Sequence, residues 1–226
     1  MRIDIISAVP YSLESTLKTS IIKRAVEKKS VEIFVHNLRD FAFNKHRQID
    51  DKPFGGGAGM LLKPEPFFEC IEFLQKDRKY DHIIFTTPKG KIYNQSLANK
   101  FSLAKNIIII AGHYKGIDER VREKFATDEI SIGNFVLSGG ELLALVITDS
   151  IVRILPGAIG DSESMLNDSF MDGEIIEAPF YTRPSEYKGM KVPEVLLSGN
   201  GKEIKLWKEE KSKSLTENWK KINSLE

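Results

Sequence analysis

The sequence predicts an α/β domain built on a mostly parallel sheet with helices on both faces, followed by a small helical region. Three observations carry this. Short apolar runs alternate with stretches of helical periodicity, the pattern of a parallel sheet covered on two sides. The runs lack polar alternation, as strands buried on both faces do. Composition then changes after Pro156-Gly157, where acids and glycines replace apolar residues.

In chain order, residues 2–6 read as a buried strand. Residues 12–28 read as one helix, with Leu13, Leu17, Ile21 and Ala25 at i+4 spacing and Ser12 able to cap it. Residues 31–35 return to a β pattern, and 39–62 mix charge and glycine without periodicity. A helix is expected over 65–76, a strand over 82–87 (HIIFTT) and a turn at Pro88-Lys89-Gly90. Residues 94–104 form a helix opened by Asn94, and 106–111 (NIIIIA) form the most apolar strand. A short helix over 118–125 and a short strand over 129–132 follow. Ser138 and Glu141 have capping-box spacing before an apolar helix that Pro156-Gly157 stops. Residues 178–200 hold Pro179, Pro184, Gly189, Pro193 and Gly199 and are expected to be irregular. Residues 202–222 turn helical, with Ile204, Trp207, Leu215 and Trp219 as contacts.

The organisation is therefore 1–157 as the main domain, 158–177 as an acidic flexible linker and 178–226 as a small helical domain. The 226 residues carry 33 basic and 32 acidic side chains, a net charge of +1. That total hides about +4 in the first part, −6 in the linker and +3 in the tail. A disordered polyelectrolyte is excluded, and nucleic-acid binding has to come from a local patch. Cys70, the one cysteine, lies in an apolar run and reads as a buried hydrophobe. No run is long enough to cross a bilayer, so a cytoplasmic protein is the simplest reading.

Three glycine segments are candidates for ligand contact. Gly55-Gly56-Gly57-Ala58-Gly59 lacks the Lys-Ser/Thr of a Walker loop. It reads equally as a flexible loop and as a place where backbone approaches a ligand. Ala111-Gly112-His113-Tyr114-Lys115-Gly116 directly follows a strand, where open α/β sheets bind ligands, but a strand-to-helix turn accounts for it too. Its spacing is not GxGxxG, so a dinucleotide site is excluded. Residues 131–141 (SIGNFVLSGGE) run from a strand into a helix N-terminus, and their apolar members suit an adenine-sized slot better than a phosphate. The capping box alone explains Ser138 and Glu141. On spacing alone, Asp168 is an acidic-linker residue and Arg153 a helix C-terminal cation.

The segments DDKPFGGGAGM (50–60), IIIIAGHYKGIDERV (107–121), SIGNFVLSGGE (131–141), LPGAIG (155–160), NDSF (167–170), YTRP (181–184) and VPEVLLSGN (192–200) occur in an order that resembles the TrmD family. These are bacterial tRNA (guanine-N1)-methyltransferases of the SPOUT class. The match spans residue 1 to about 210, and the combination is specific. The resemblance implies a SPOUT-type fold with a trefoil knot, one of the rare threaded folds. It implies S-adenosylmethionine as methyl donor, with Mg²⁺ a further candidate, and tRNA methylated at N1 of the guanine 3′ of the anticodon. It also implies a homodimer with active sites at the subunit interface.

Carried over by motif, cofactor contacts fall on Thr86, Thr87, Pro88, Gly90, Gly112, Tyr114, Ile132, Gly133, Asn134, Phe135, Val136, Leu137, Gly139 and Gly140. His46, Asp50, Gly57 and Gly59 become substrate contacts. Asp168 becomes the general base, since guanine N1 is a poor nucleophile until its proton leaves. Arg153 becomes the cation that stabilises charge growing on O6. The lysines of the tail would hold phosphates in a salt-dependent way. The chain departs from the family pattern at Lys115, where an acid is usual, and at Leu143, where a proline is usual. The resemblance also implies a tail shortened relative to the family.

Overall fold

The computed structural model describes residues 1–158 and 168–223, in two compact units, Met1–Gly160 and Asp161–Glu226. The first unit opens with β1 (Arg2–Ser7), α1 (Tyr11–Leu17), α2 (Ser20–Glu27) and β2 (Glu32–Asn37). Short strands β3 (Asp50–Asp51) and β4 (Leu61–Leu62) and helix α3 (Pro64–Gln75) follow. Then come β5 (His82–Ile92), α4 (Gln95–Ser102), β6 (Asn106–Ile110), α5 (Glu119–Phe125), β7 (Asp128–Ser131) and α6 (Glu141–Val152).

The main sheet has five strands in the order β2-β1-β6-β5-β7, all paired in parallel. Its apolar runs are buried on both faces. Ile107 and Ile109 join a core with residues of α1, α2, α4 and α6. Ile108 and Ile110, one position out of phase, join a second core with α3 and α5. The two-residue repeat of a strand sends successive isoleucines to opposite cores, so the run cannot alternate with polar residues. Cys70 is fully buried in the second core, and burial pushes its thiol well above the usual range.

Asp4 interrupts the apolar pattern of β1 and is fully buried. Arg2 donates to it at 2.7 and 2.8 Å and Tyr80 at 2.8 Å, and the His36 ring nitrogen lies 2.7 Å away. Burial disfavours its charge, but these hydrogen bonds outweigh burial and hold the carboxyl at about 2. A carboxyl lowered this way stabilises the fold above its unfolded value near 3.8, and the contribution is lost as pH falls through about 2. Its size is about 2 kcal/mol. Asp4→Asn is therefore expected to lower urea stability at pH 7 by roughly that amount, with the gap to wild type closing between pH 4 and about 2. A gap that stays constant over this range would show that Asp4 is not held ionised by its neighbours.

Three local expectations change. The single helix over 12–28 is two, because Thr19 is extended (φ −126°, ψ 162°) and its hydroxyl bonds back to the Thr16 carbonyl at 3.0 Å. The turn at Pro88-Lys89-Gly90 lies inside a strand. Thr86 and Lys91 both pair with Ile130, so Thr87–Gly90 is an excursion of β5 beside β7. The capping box is absent. Gly140 occupies the N-cap of α6 without a side-chain bond, and Glu141 instead accepts the Ser7 hydroxyl at 2.7 Å. A partner 134 residues away outcompetes the local cap because both groups are buried and each needs the other.

In the second unit, a small hairpin of β8 (Glu186–Tyr187) and β9 (Met190–Lys191) precedes α7 (Glu194–Leu197) and α8 (Gly201–Asn223). Residues 168–177, expected as the second half of a flexible linker, are fastened to α8. Thr216 accepts the Ile176 amide at 2.9 Å, Ser212 donates to the Ile176 carbonyl, and Phe170 meets Trp219 edge-on at 5.2 Å. Trp207 packs on Tyr181 at 6.3 Å. Residues 159–167, the rest of that segment, lie outside the described residues.

Candidate active site

The C-terminal ends of β6 and β7 lie beside the Thr87–Gly90 excursion of β5, and each runs into a loop. Ligands in open α/β sheets bind at such strand ends. Thr86, the last residue of β5 before its excursion, donates its hydroxyl to the Ile110 carbonyl at 2.8 Å and accepts the Gly112 amide at 3.3 Å. Gly140 donates to the Gly112 carbonyl at 2.6 Å, and His113 and Gly139 form an antiparallel bridge. The loop before α6 is thus sewn to the loop after β6.

Two glycines permit this closeness. A Cβ on Gly140 would stand 2.2 Å from the Thr86 hydroxyl and 2.9 Å from the Gly112 nitrogen. A Cβ on Gly90 would stand 2.5 Å from the backbone of Glu129 and Ile130, so the β5 excursion can lie on β7 only with a bare Cα there.

A cavity of about 210 Å³ opens between these loops. Of the fourteen residues expected to contact a cofactor, eleven line it: Thr86, Thr87, Pro88, Gly112, Tyr114, Ile132, Phe135, Val136, Leu137, Gly139 and Gly140. Gly90, Gly133 and Asn134 do not. Gly90 faces β7, and Gly133, at φ +150°, has the Phe135 ring against its Cα. His113, Lys115, Gly116, Ser131, Ser138 and Leu143 line it as well and were not among the fourteen expected contacts. Five of these six interleave with expected contacts in the same loops. Leu143 lies three residues beyond Gly140, the spacing of one helical face.

The lining fits S-adenosylmethionine in kind. Ile132, Phe135, Val136, Leu137 and Leu143 offer an apolar slot for a purine, beside backbone amides and carbonyls of glycines. It does not fit Mg²⁺, which takes oxygen ligands and usually carboxylates. Among the described residues no Asp or Glu lines the cavity, and there is no cluster of three His, Cys, Asp or Glu able to hold a metal.

The substrate candidates are partly joined to this cavity. Asp50 pairs with Leu62, and Leu62 bridges to Ile117. Lys115 donates its amide to the Met60 carbonyl, and Leu62 donates to the Gly116 carbonyl, each at 3.0 Å. Gly59 touches the Lys115 side chain, Gly57 faces open space at φ +107°, and His46 is exposed. Arg153 is the C-cap of α6, the end opposite the cavity. At 1.5 Å per residue it stands about 20 Å from Gly140 along the axis. Asp168 belongs to the second unit, where its charge, after burial, helps hold Glu177 above its ordinary value.

Comparison with known proteins gives consistent matches. Residues 1–223 match the family model described as "tRNA (Guanine-1)-methyltransferase TrmD". A tRNA (guanine-N(1)-)-methyltransferase of Bacteroides thetaiotaomicron is 54% identical over 212 residues, covering 94% of either chain. One from Chlorobium chlorochromatii is 52% identical over 208 residues, 92% of this chain and 90% of that one. The crystal structure of tRNA (m1G37) methyltransferase from Aquifex aeolicus superposes with a TM-score of 0.79 at 38% identity, over 99% of this chain and 93% of the other. The matches cover 90 to 94% of the length of these relatives.

Proposed function

This chain belongs to the TrmD family of tRNA (guanine-1)-methyltransferases, and on that footing we propose that it methylates N1 of the guanine immediately 3′ of the anticodon, a tRNA modification that maintains the reading frame. It is a tRNA methyltransferase enzyme of α/β architecture. The methyl donor implied by the family is S-adenosylmethionine, which when bound supplies an electrophilic methyl group on a sulfonium. The observation that carries the reading is the cavity between the β5 excursion and the ends of β6 and β7, lined by eleven of the expected contacts.

In this reading the apolar slot holds the adenine, and backbone groups of Gly112, Gly139 and Gly140 meet its polar edge. Asp168 takes the N1 proton of guanine, and Arg153 faces O6 as negative charge moves there. His46, Asp50, Gly57 and Gly59 meet the target nucleotide. Lysines of α8 hold the RNA backbone.

The working form is a homodimer. Two features support this. One chain leaves Arg153 about 20 Å from the cavity along α6. In addition, α1 and α6 present Tyr11, Leu142 and Val146 to solvent at 79%, 57% and 41% exposure, beside Val136 at 92%. Apolar groups so placed suit a second copy. The place of action is the cytoplasm, and no helix among the described residues is long and apolar enough to cross a membrane.

The test is methyl transfer from labelled S-adenosylmethionine to an unmodified tRNA, with primer extension to locate the methyl group. A stop at the guanine 3′ of the anticodon is the expected result. No transfer with cofactor binding intact would favour an RNA-binding protein that keeps the fold.

A further inference from the structure

Among the described residues, Lys115 is the only Lys, Arg, Asp or Glu that lines the cavity. Its backbone is fixed to the neighbouring loop, with its amide on the Met60 carbonyl at 3.0 Å and the next carbonyl, Gly116, accepting from Leu62 at 3.0 Å. Its stem lies across Gly59. A Cβ there would stand 2.8 Å from Lys115 Cγ and 3.1 Å from Cε. Gly59 has φ +95°, a backbone conformation that favours glycine. The side chain is therefore laid along a chosen surface at the cavity mouth.

Its charge has no partner among the described residues. The nearby acid Asp118 is engaged by Arg120 at 2.7 and 2.8 Å. An ammonium at the rim of a cavity that no described carboxylate lines favours an anionic group on whatever enters.

We propose that Lys115 binds the α-carboxylate at the methionine end of the cofactor, an inference that rests on reading the cavity as the S-adenosylmethionine site. The cofactor carries three charged groups. Its sulfonium and its ammonium are cations, which Lys115 repels. Its carboxylate is the only anion, and among the described residues no other Lys, Arg, Asp or Glu lines the cavity to compete for it. Lys115 thus orients the ligand, with the carboxylate at the Gly59 side and the purine in the slot of Ile132, Phe135 and Leu137.

The experiment uses the full chain and two ligands that differ in this group. S-Adenosylhomocysteine carries the carboxylate, and 5′-methylthioadenosine lacks the whole amino-acid end. Calorimetric titration of wild type, Lys115→Met and Lys115→Arg reads the effect. Lys115→Met is expected to weaken S-adenosylhomocysteine by about tenfold to a hundredfold. Affinity for 5′-methylthioadenosine stays unchanged, and Lys115→Arg retains most of the lost binding. Equal weakening of both ligands, or weakening of neither, overturns the proposal, as does a loss confined to tRNA affinity. If wild type binds neither ligand, the cofactor reading of the cavity fails first. Lys115 is exposed, so its removal leaves the folded core intact.

Discussion

Asp168→Asn is expected to lower kcat by about 10²- to 10⁴-fold, the usual worth of a positioned general base. The amide matches the carboxylate in shape but cannot accept the N1 proton. Affinity for S-adenosylhomocysteine is expected to be unchanged, because Asp168 is not among the residues that line the cavity. The local setting favours a clean test. Asp168 lies in a segment bonded to α8 through Ile176, and its own carbonyl accepts the Met171 amide at 3.2 Å. An isosteric change leaves these bonds in place. Single-turnover methylation with saturating tRNA checks the prediction. Wild-type turnover by Asp168→Asn would remove Asp168 from the role of base.

Arg153→Ala is expected to cost about 10²- to 10³-fold in kcat, the price of losing one donor to a developing oxyanion. Its distinctive property is geometric. Arg153 and the cavity sit at opposite ends of α6 in one chain, about 20 Å apart by the rise of the helix. If both serve one site, they come from two copies. Mixed dimers then give a sharp outcome. Gly140→Val is expected to disrupt the cavity, since even a Cβ there would stand 2.2 Å from the Thr86 hydroxyl and force the two loops apart. Each of the two variants alone is nearly inactive. A heterodimer of Gly140→Val with Arg153→Ala contains one site with both an open cavity and an intact arginine, and is expected to regain activity. If Arg153 served the cavity of its own chain, no site in that mixture would be whole and activity would stay lost.

Much of the site was legible in the sequence because its residues cluster in loops directly after buried strands. Gly112, Tyr114 and 132–140 are local signals of that kind. Lys115 was visible as a departure in a known motif, but its contact with Gly59 was not, since those residues are joined only by folding. Arg153 and Asp168 were named through resemblance alone. Periodicity offered a linker acid and a helix-end cation.

The sequence by itself determined the order of elements, the strand runs buried on two faces, the helix starts at Asn94 and Asp118, and the family. Hydrophobic period and capping chemistry are properties of near neighbours, so they survive without coordinates. Tertiary structure alone decided where Glu141 spends its hydrogen bond, how Thr87–Gly90 leaves β5 without ending it, and which glycines let three loops close on one cavity. Those outcomes depend on groups far apart in sequence that meet only when buried donors and acceptors must find partners. No local pattern encodes which partner each will find.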